Sequence, residues 1–328
     1  MFLRGEVKWL GLGLVFALTA CSSVVSEPKV TPVEYKACLI TSGDTRTDES
    51  SLNRNIYAAL TESRARFGVG IDVVESPRNA GPTRYAAELK SAVKSGCKLV
   101  VSSGDSLLQP VIEAATAHAA NTFMAFDVAD STASLKLPPN LTAFNFALEQ
   151  SGLAAGFLAA AKTTKDKVGL LYPAEVGRAR NVVTGFIKGV TIFNGSSSKR
   201  VTIYKSTSIS NLQADDVDVI FYAGLDRGLV GNKYIWGFVK VSPGQLIQQQ
   251  IESALNPASS PTATPSASPS SSMDASVANP RFVILGLDGS FVGVQAADLP
   301  NAADASIAEL VNQLNLGEIS FDSNTTQK

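Results

Sequence analysis

The sequence predicts an α/β protein of two lobes, each built on a doubly wound parallel sheet. Short apolar runs alternate with segments of helical periodicity along most of the chain, which is typical of right-handed βαβ units. Several runs are apolar throughout, such as Val-Gly-Leu-Leu at 168–171 and Val-Ile-Phe-Tyr at 219–222, and this favours strands buried on both faces. The alternation starts afresh near Leu141, so we expect lobe 1 over 35–140 and lobe 2 over 141–240.

The first lobe is predicted to contain four strands that alternate with three helices. The first helix places Leu52, Ile56 and Leu60 on one face, and Gly96 ends the second helix. The predicted strands are Tyr35–Thr41, Gly70–Val74, Lys98–Ser102 and Thr122–Asp127, and the predicted helices are Ser50–Phe67, Arg84–Ser95 and Pro110–Ala120.

The second lobe repeats the pattern with strands at 141–146, 167–172, 201–204 and 217–223 and helices at 149–161 and 181–190. A crossover helix is expected over 241–256. Beyond it, residues 281–328 are expected to complete the lobes. This last segment is predicted to hold strands at 282–287 and 291–294, which form a hairpin about Asp288-Gly289, and a helix at 305–316.

Residues 257–280 interrupt the alternation with a run of Pro, Ser, Thr and Ala. The run has no apolar periodicity and little to bury, so it predicts a disordered insertion on the surface of a folded unit. A linker to a separate C-terminal domain is the alternative, but residues 281–328 are too few to form a domain without a disulfide or a metal.

The N-terminal segment resembles a bacterial lipoprotein signal. Basic residues precede an apolar run, Trp9 to Ala20, that is shorter than the roughly 20 residues of a membrane span, and Leu-Thr-Ala-Cys closes it. In such signals the cysteine is acylated and becomes the first mature residue, whereas the alternative is an ordinary cleaved signal with a chance cysteine. We expect a signal peptide at 1–20, lipid on Cys21, a tether at 21–34 and a place on the extracytoplasmic face of the cell membrane.

Charge and residue counts argue against several classes of protein. The formal net charge is −1, so no basic surplus points to nucleic acid. His118 is the sole histidine, and without a cysteine cluster the usual kind of zinc site is not expected. No Gly-x-Ser-x-Gly elbow supplies a serine nucleophile. We therefore expect no enzyme, no metal ion and no cofactor.

Besides Cys21, the chain has two cysteines, Cys38 and Cys97. An exported location permits a disulfide between them. Each lies in or beside a predicted buried strand, however, and we interpret them first as two buried thiols, with pairing as the alternative.

Ligands of open α/β sheets bind at the carboxyl ends of the strands, and in this chain those positions are polar and small. The candidates are Asp44, Asp48, Asn53, Asp127 and Gly224. An Asp in such a place can instead cap a helix, and for Asp48 and Asp105 both interpretations remain open. Two lobes with polar strand ends favour ligand binding with hinge closure over catalysis.

The stretch LTAFNFALEQSGLAAGFLAAAKTTK at 141–165 resembles a signature of the basic membrane protein family. That family has a strand ending in Phe, then an acidic residue and Tyr-Leu-Ala-Gly-x-x-Ala-Ala. Its members are lipoprotein substrate-binding proteins of ABC transporters, many of which bind purine nucleosides. The resemblance implies a type I periplasmic-binding-protein fold with three crossovers between its lobes. Further similar pieces lie at 167–171, 184–189, 218–224, 286–292 and 316–319.

The chain departs from the family pattern where the family stacks its ligand. Leu52 stands in place of the Phe of Asp-x-Ser-Phe-Asn, which stacks on the nucleobase, and Val182 falls near a second stacking Phe. Lys240 aligns with the ligand-contacting Lys of the family. The Gly-x-Asp that holds the ribose has no counterpart in the short stretch after Gly224. Stacking contributes about 1–3 kcal/mol per base, so nucleoside binding is expected to be weak, and Leu52→Phe is expected to tighten it.

The resemblance implies a binding lipoprotein that delivers a nucleoside-like or other small polar solute to an ABC permease. Its expected ligand contacts are Asp44, Asp48, Leu52, Asn53, Asp127, Val182, Gly224 and Lys240. The alternative is a surface lipoprotein that keeps the fold with little nucleoside affinity and acts in adhesion or envelope structure. The insertion at 257–280 and the missing ribose segment favour this alternative.

Overall fold

The computed structural model describes residues 31–42, 51–77, 80–173, 179–225, 232–257 and 281–321. Outside the described residues lie the predicted signal peptide, Cys21, most of the tether, Asp44, Asp48 and residues 258–280 of the predicted insertion. Among the described residues, no helix combines the length and the apolar character that crossing a membrane requires.

The strands form two sheets. They are β1 Lys36–Ser42, β2 Gly70–Ser76, β3 Leu99–Ser103, β4 Thr122–Phe126, β5 Leu141–Phe146, β6 Lys167–Leu171, β7 Thr202–Ser206, β8 Val219–Leu225, β9 Gly237–Val241, β10 Phe282–Leu285 and β11 Val292–Ala296. The first sheet has the order β10-β5-β4-β3-β1-β2 and is parallel throughout. The second has the order β11-β9-β8-β6-β7, in which β11 alone runs antiparallel to its neighbour.

Helices cover both faces of each sheet. They are α1 Ser51–Phe67, α2 Pro82–Lys94, α3 Asp105–Ala117, α4 Leu148–Lys162, α5 Ala179–Ser196, α6 Ile209–Ala214, α7 Gly244–Leu255 and α8 Ala303–Asn315. On the first sheet α1 packs with α7, and α2 packs with α3 on the opposite face. On the second sheet α4 packs closely against α5, and α6 covers the other face. The predicted α/β class with parallel sheets is confirmed.

The chain leaves the first sheet later than the sequence suggested. The predicted second lobe began at Leu141, but β5 pairs in parallel with β4, with Ala125 opposite Ala143. The chain therefore passes to the second lobe after Phe146, in the link between β5 and the start of α4 at Leu148. Sequence alone could not place β5, because a strand buried on both faces has the same apolar pattern in either sheet.

The predicted C-terminal hairpin is wrong. β10 pairs in parallel with β5 and extends the first sheet, whereas β11 pairs with β9 at the edge of the second sheet. The segment around Asp288-Gly289 therefore connects the lobes instead of joining two neighbouring strands. Each strand finds partners for its backbone hydrogen bonds at the edge of a different sheet, and the two strands do not pair with each other.

Two short helical segments were not predicted, and α3 begins more than a full turn earlier than expected. α6 and a 3₁₀ turn at Asp130–Ser134 are too short to show a periodicity. α3 begins at Asp105 and contains Pro110 as a buried residue. The sequence suggested a start at Pro110, because proline favours the first turn of a helix.

Cys38 and Cys97 form a disulfide, so the first interpretation as two buried thiols is wrong. Cys38 lies on β1, opposite Val100 of β3, and Cys97 precedes that strand by two residues. The two Cα atoms are 5.8 Å apart, within the usual range for a disulfide. Both residues are fully buried in the cluster between the first sheet, α2 and α3.

The contact between α4 and α5 depends on four glycines. A Cβ added at Gly152 would lie 2.1 Å from the Val182 carbonyl oxygen, and one at Gly156 would lie 2.0 Å from that of Phe186. Gly185 and Gly189 approach α4 as closely in return. These helices therefore touch backbone to backbone, which explains the small-residue pattern that the sequence shows in both.

Candidate functional site

Polar residues converge at the carboxyl edge of the first sheet. Asn53 lies in the first turn of α1, and Ser103 is the last residue of β3. The Ser103 hydroxyl donates to the side-chain oxygen of Asn53, and both residues are buried. Ser103 pairs in register with Phe126 at the end of β4, so Asp127 follows at the same edge. The structure thus brings two predicted site residues, Asn53 and Asp127, to one end of the sheet.

The turn after β4 holds Asp127 in an uncommon backbone conformation. Its φ is +63°, a left-handed value that Asp tolerates better than most residues. Two residues later, the Ala129 N–H donates to the Asp105 carboxylate over 2.6 Å. The Asp105 carboxylate therefore braces the loop that carries Asp127, a contact that the sequence did not predict.

A second polar group lies at the end of β5. The Asn145 side-chain amide donates to the Asp130 carboxylate over 2.6 Å. Glu149 stands in the first turn of α4. Burial raises the pKa of Glu149, its own backbone N–H lowers it in part, and the neighbouring Asp130 raises it. Sequence reasoning did not name these residues as site residues, although Glu149 is the acidic position of the family signature.

Gly224 and Lys240 lie at the carboxyl edge of the second sheet. The pairing of β8 with β9 is irregular beyond Tyr222, and Leu225 stands opposite Val239, so Gly224 and Lys240 lie beside this pair. A Cβ at Gly224 would lie 2.6 Å from the Tyr222 ring, which explains the glycine. Lys240 is exposed. The backbones of Gly224 and Lys240 are therefore close at this edge.

A hydrogen bond joins the two lobes beside these residues. The Asn55 side-chain amide on α1 donates to the carbonyl oxygen of Val241, the last residue of β9, over 2.8 Å. Asn53 lies two residues before the donor, and Lys240 lies one residue before the acceptor. The bond therefore holds α1, which carries Asn53, beside the end of β9, which carries Lys240.

Leu52 and Val182 lie in the core. Each is 1% exposed, and both belong to the largest cluster of buried apolar residues. The Val182 backbone also faces Gly152 in the contact between α4 and α5. Their assignment to the ligand site stays a prediction.

Groups that can form hydrogen bonds with a small polar molecule lie at or near the carboxyl ends of strands in both sheets. They comprise carboxylates at Asp127, Asp130 and Glu149, an amide at Asn53 and an ammonium at Lys240. In the part of the chain that the structure describes, no group of three or more His, Cys, Asp or Glu side chains could hold a metal ion.

A family model described as Bmp, ABC transporter substrate-binding protein PnrA-like, matches residues 36–226, more than half of the chain. No curated protein matches the sequence significantly.

Solved structures show the same fold. An ABC transporter solute-binding protein from Conexibacter woesei superposes with a TM-score of 0.65 at 19% identity, covering 88% of this chain and 98% of the other. A solute-binding protein from Aeropyrum pernix gives 0.62 at 12% identity, covering 89% and 94%. A transcriptional activator of the comK gene from Bacillus halodurans gives 0.60 at 14% identity, covering 88% and 100%. At such identities the likeness establishes the fold alone, and one fold here serves both solute binding and gene regulation.

Proposed function

Because the chain belongs to the Bmp family of PnrA-like ABC transporter substrate-binding proteins, we propose that it captures a nucleoside-like or other small polar solute and passes it to an ABC permease. The observation that carries this proposal is that the carboxyl edges of both sheets bear polar residues, while a hydrogen bond from Asn55 on α1 to Val241 on β9 joins the two lobes. Ligands of open parallel sheets bind at such edges. Binding without catalysis agrees with the family, which consists of transporter components.

The site favours a ligand with several hydroxyl or amino groups. Carboxylates at Asp127 and Glu149 accept hydrogen bonds, and the Lys240 ammonium donates them. Leu52 and Val182 stand where the family has its stacking rings, and as aliphatic core side chains they supply no π-face. We therefore propose weak affinity for nucleosides and little preference for a nucleoside over its free base.

Calorimetry on the mature chain, with nucleosides, free bases and sugars as separate ligands, tests this proposal. Lys240→Met should weaken binding about tenfold or more, because a hydrogen bond to a charged group contributes about 1.5–3 kcal/mol. Lys205→Met is the matched control, since Lys205 is exposed on β7, a strand of the same sheet. Equal affinity in both variants would exclude Lys240 from the site.

The surface lipoprotein remains the second candidate. The observation that favours it is the burial of Leu52 and Val182. These residues stand at the two positions where the family has stacking rings, and here both belong to the core. Absence of binding by the wild-type chain to every nucleoside, base and sugar would support it over the transport function.

We also propose that Cys21 carries the lipid anchor on the extracytoplasmic side. The support is the Leu-Thr-Ala-Cys run behind a short basic and apolar segment. Cys21→Ser should leave the precursor uncleaved and unlabelled by a fatty-acid probe. Normal labelling of that variant would contradict the anchor.

A further inference from the structure

The passages between the lobes are tied to one another by hydrogen bonds. The first runs from β5 to α4, the second from β9 to α7, and the third from β10 to β11. The Ala147 N–H of the first passage donates to the Leu285 carbonyl of the third over 3.0 Å. The Ser242 N–H of the second donates to the Phe291 carbonyl of the third over 2.8 Å. Any rotation of the lobes must therefore pass through this bonded group.

In the third passage, a single residue separates the part of the chain that is bonded to the first lobe from the part that is bonded to the second lobe. Leu285 belongs to the first lobe, because it pairs with Phe146 of β5. The Leu287 N–H donates to the side-chain oxygen of Gln150 on α4 over 2.9 Å, which holds Leu287 to the second lobe. Gln150 is 5% exposed, so this bond is shielded from water. Gly286 stands between the two.

Gly286 is bonded to the second lobe through its carbonyl group. Its carbonyl oxygen accepts from the N–H groups of Phe291 and Val292, over 3.2 and 3.4 Å, at the start of β11. The preceding carbonyl, that of Leu285, accepts from Ala147 at the end of the first lobe. The torsions that remain between these two anchored carbonyls are φ and ψ of Gly286, because the peptide unit is planar.

In the first passage, Ala147 is likewise the single residue between a group bonded to the first lobe and a group bonded to the second lobe. Ala147 donates its N–H to Leu285 of the first lobe, and its carbonyl accepts from the Gln150 N–H in the first turn of α4 over 3.0 Å. Ala147 and Gly286 are therefore neighbours, and each joins a group held by the first sheet to a group held by α4.

We propose that Gln150 is a positioning residue: its bond to the Leu287 N–H makes the first and third passages turn together, at Ala147 and Gly286, when the lobes close. The inference rests on the proposed function in one respect, namely that the rotation serves to close the lobes over a ligand. Gly286 suits this place for a steric reason as well. A Cβ there would lie 2.6 Å from the Gln150 side-chain oxygen and would displace it.

The test uses the full mature chain without ligand, so its outcome does not depend on which solute binds. Gln150→Leu keeps the size of the side chain but removes the acceptor. Hydrogen exchange in the segment 285–292 should become about tenfold faster, and X-ray scattering should show a broader distribution of lobe separations. Gln150→Glu keeps an acceptor oxygen and should restore slow exchange.

Two results would overturn the proposal. One is wild-type exchange and scattering in Gln150→Leu. The other is a lower melting temperature in that variant with unchanged scattering, which would make Gln150 a structural residue only. If Gln150→Leu does not fold, Gly286→Ala decides, because displacement of the Gln150 oxygen should speed exchange in the same segment. Unchanged exchange in Gly286→Ala would refute the pivot. Failure of the proposed function would appear separately, as a wild-type chain that binds no ligand.

Discussion

Gly189→Ala should destabilise the protein although alanine is the better helix former. The new Cβ would lie 2.1 Å from the Leu153 carbonyl oxygen and 2.7 Å from the Phe157 nitrogen. Ordinary contact begins at 3.4 Å, so α5 must withdraw from α4 by about 1.3 Å. Gly152, Gly156 and Gly185 hold the helices at the same spacing, so the withdrawal loosens the whole contact.

The expected magnitude follows from two opposing effects. Alanine gains about 1 kcal/mol over glycine within a helix. Overpacking costs about 1–3 kcal/mol and occasionally more, and here the obstacle is backbone, which cannot rotate away as a side chain can. We expect a net loss of about 2 kcal/mol, which lowers the melting temperature of a chain of this size by about 5 °C.

Thermal unfolding followed by circular dichroism measures this loss, with Gly195→Ala as the control. Gly195 lies six residues further along the same helix, and a Cβ there would meet nothing within 4 Å. Gly195→Ala should leave the melting temperature unchanged or raise it slightly. If Gly189→Ala proved as stable as Gly195→Ala, the close approach of α4 to α5 would be refuted.

One chemical reduction and two substitutions test other parts of the structure. Reducing the disulfide between Cys38 and Cys97, which are 59 residues apart, should cost about 4 kcal/mol in denaturant unfolding, and two free thiols in the unreduced chain would contradict the pairing. Glu149→Gln should raise the melting temperature at pH 7, because a carboxyl with a raised pKa loses stability as pH rises through that pKa. The gain should vanish below about pH 4, where both folded and unfolded carboxyls are protonated, and a gain that persists at low pH would argue against ionisation as its cause. Asn140→Ala should destabilise by about 1–3 kcal/mol in chemical denaturation, since the two N–H groups of its amide are shared among the carbonyls of Ala115 near the end of α3 and of His118 and Asn121 beyond it; a neutral result would mean that water replaces it.

The sequence by itself determined the class of fold and most of its elements. Apolar runs and helical periodicity are local properties, so β5 was predicted with both of its ends and α1 to within one residue. The family signature at 141–165 likewise reads from consecutive residues. The polar strand ends were predicted for the same reason, because a strand followed by Asn, Asp or Gly is visible in one short stretch of chain.

Only the tertiary structure decided which pieces meet. The sheet that receives β5, the separation of β10 from β11 and the pairing of Cys38 with Cys97 all depend on neighbours far away in sequence. The same holds for Gln150, whose acceptor meets an N–H 137 residues later in the chain. Contacts of this kind are selected by the packing of whole elements and by the need to pair every buried polar group, and neither leaves a periodic trace in the sequence.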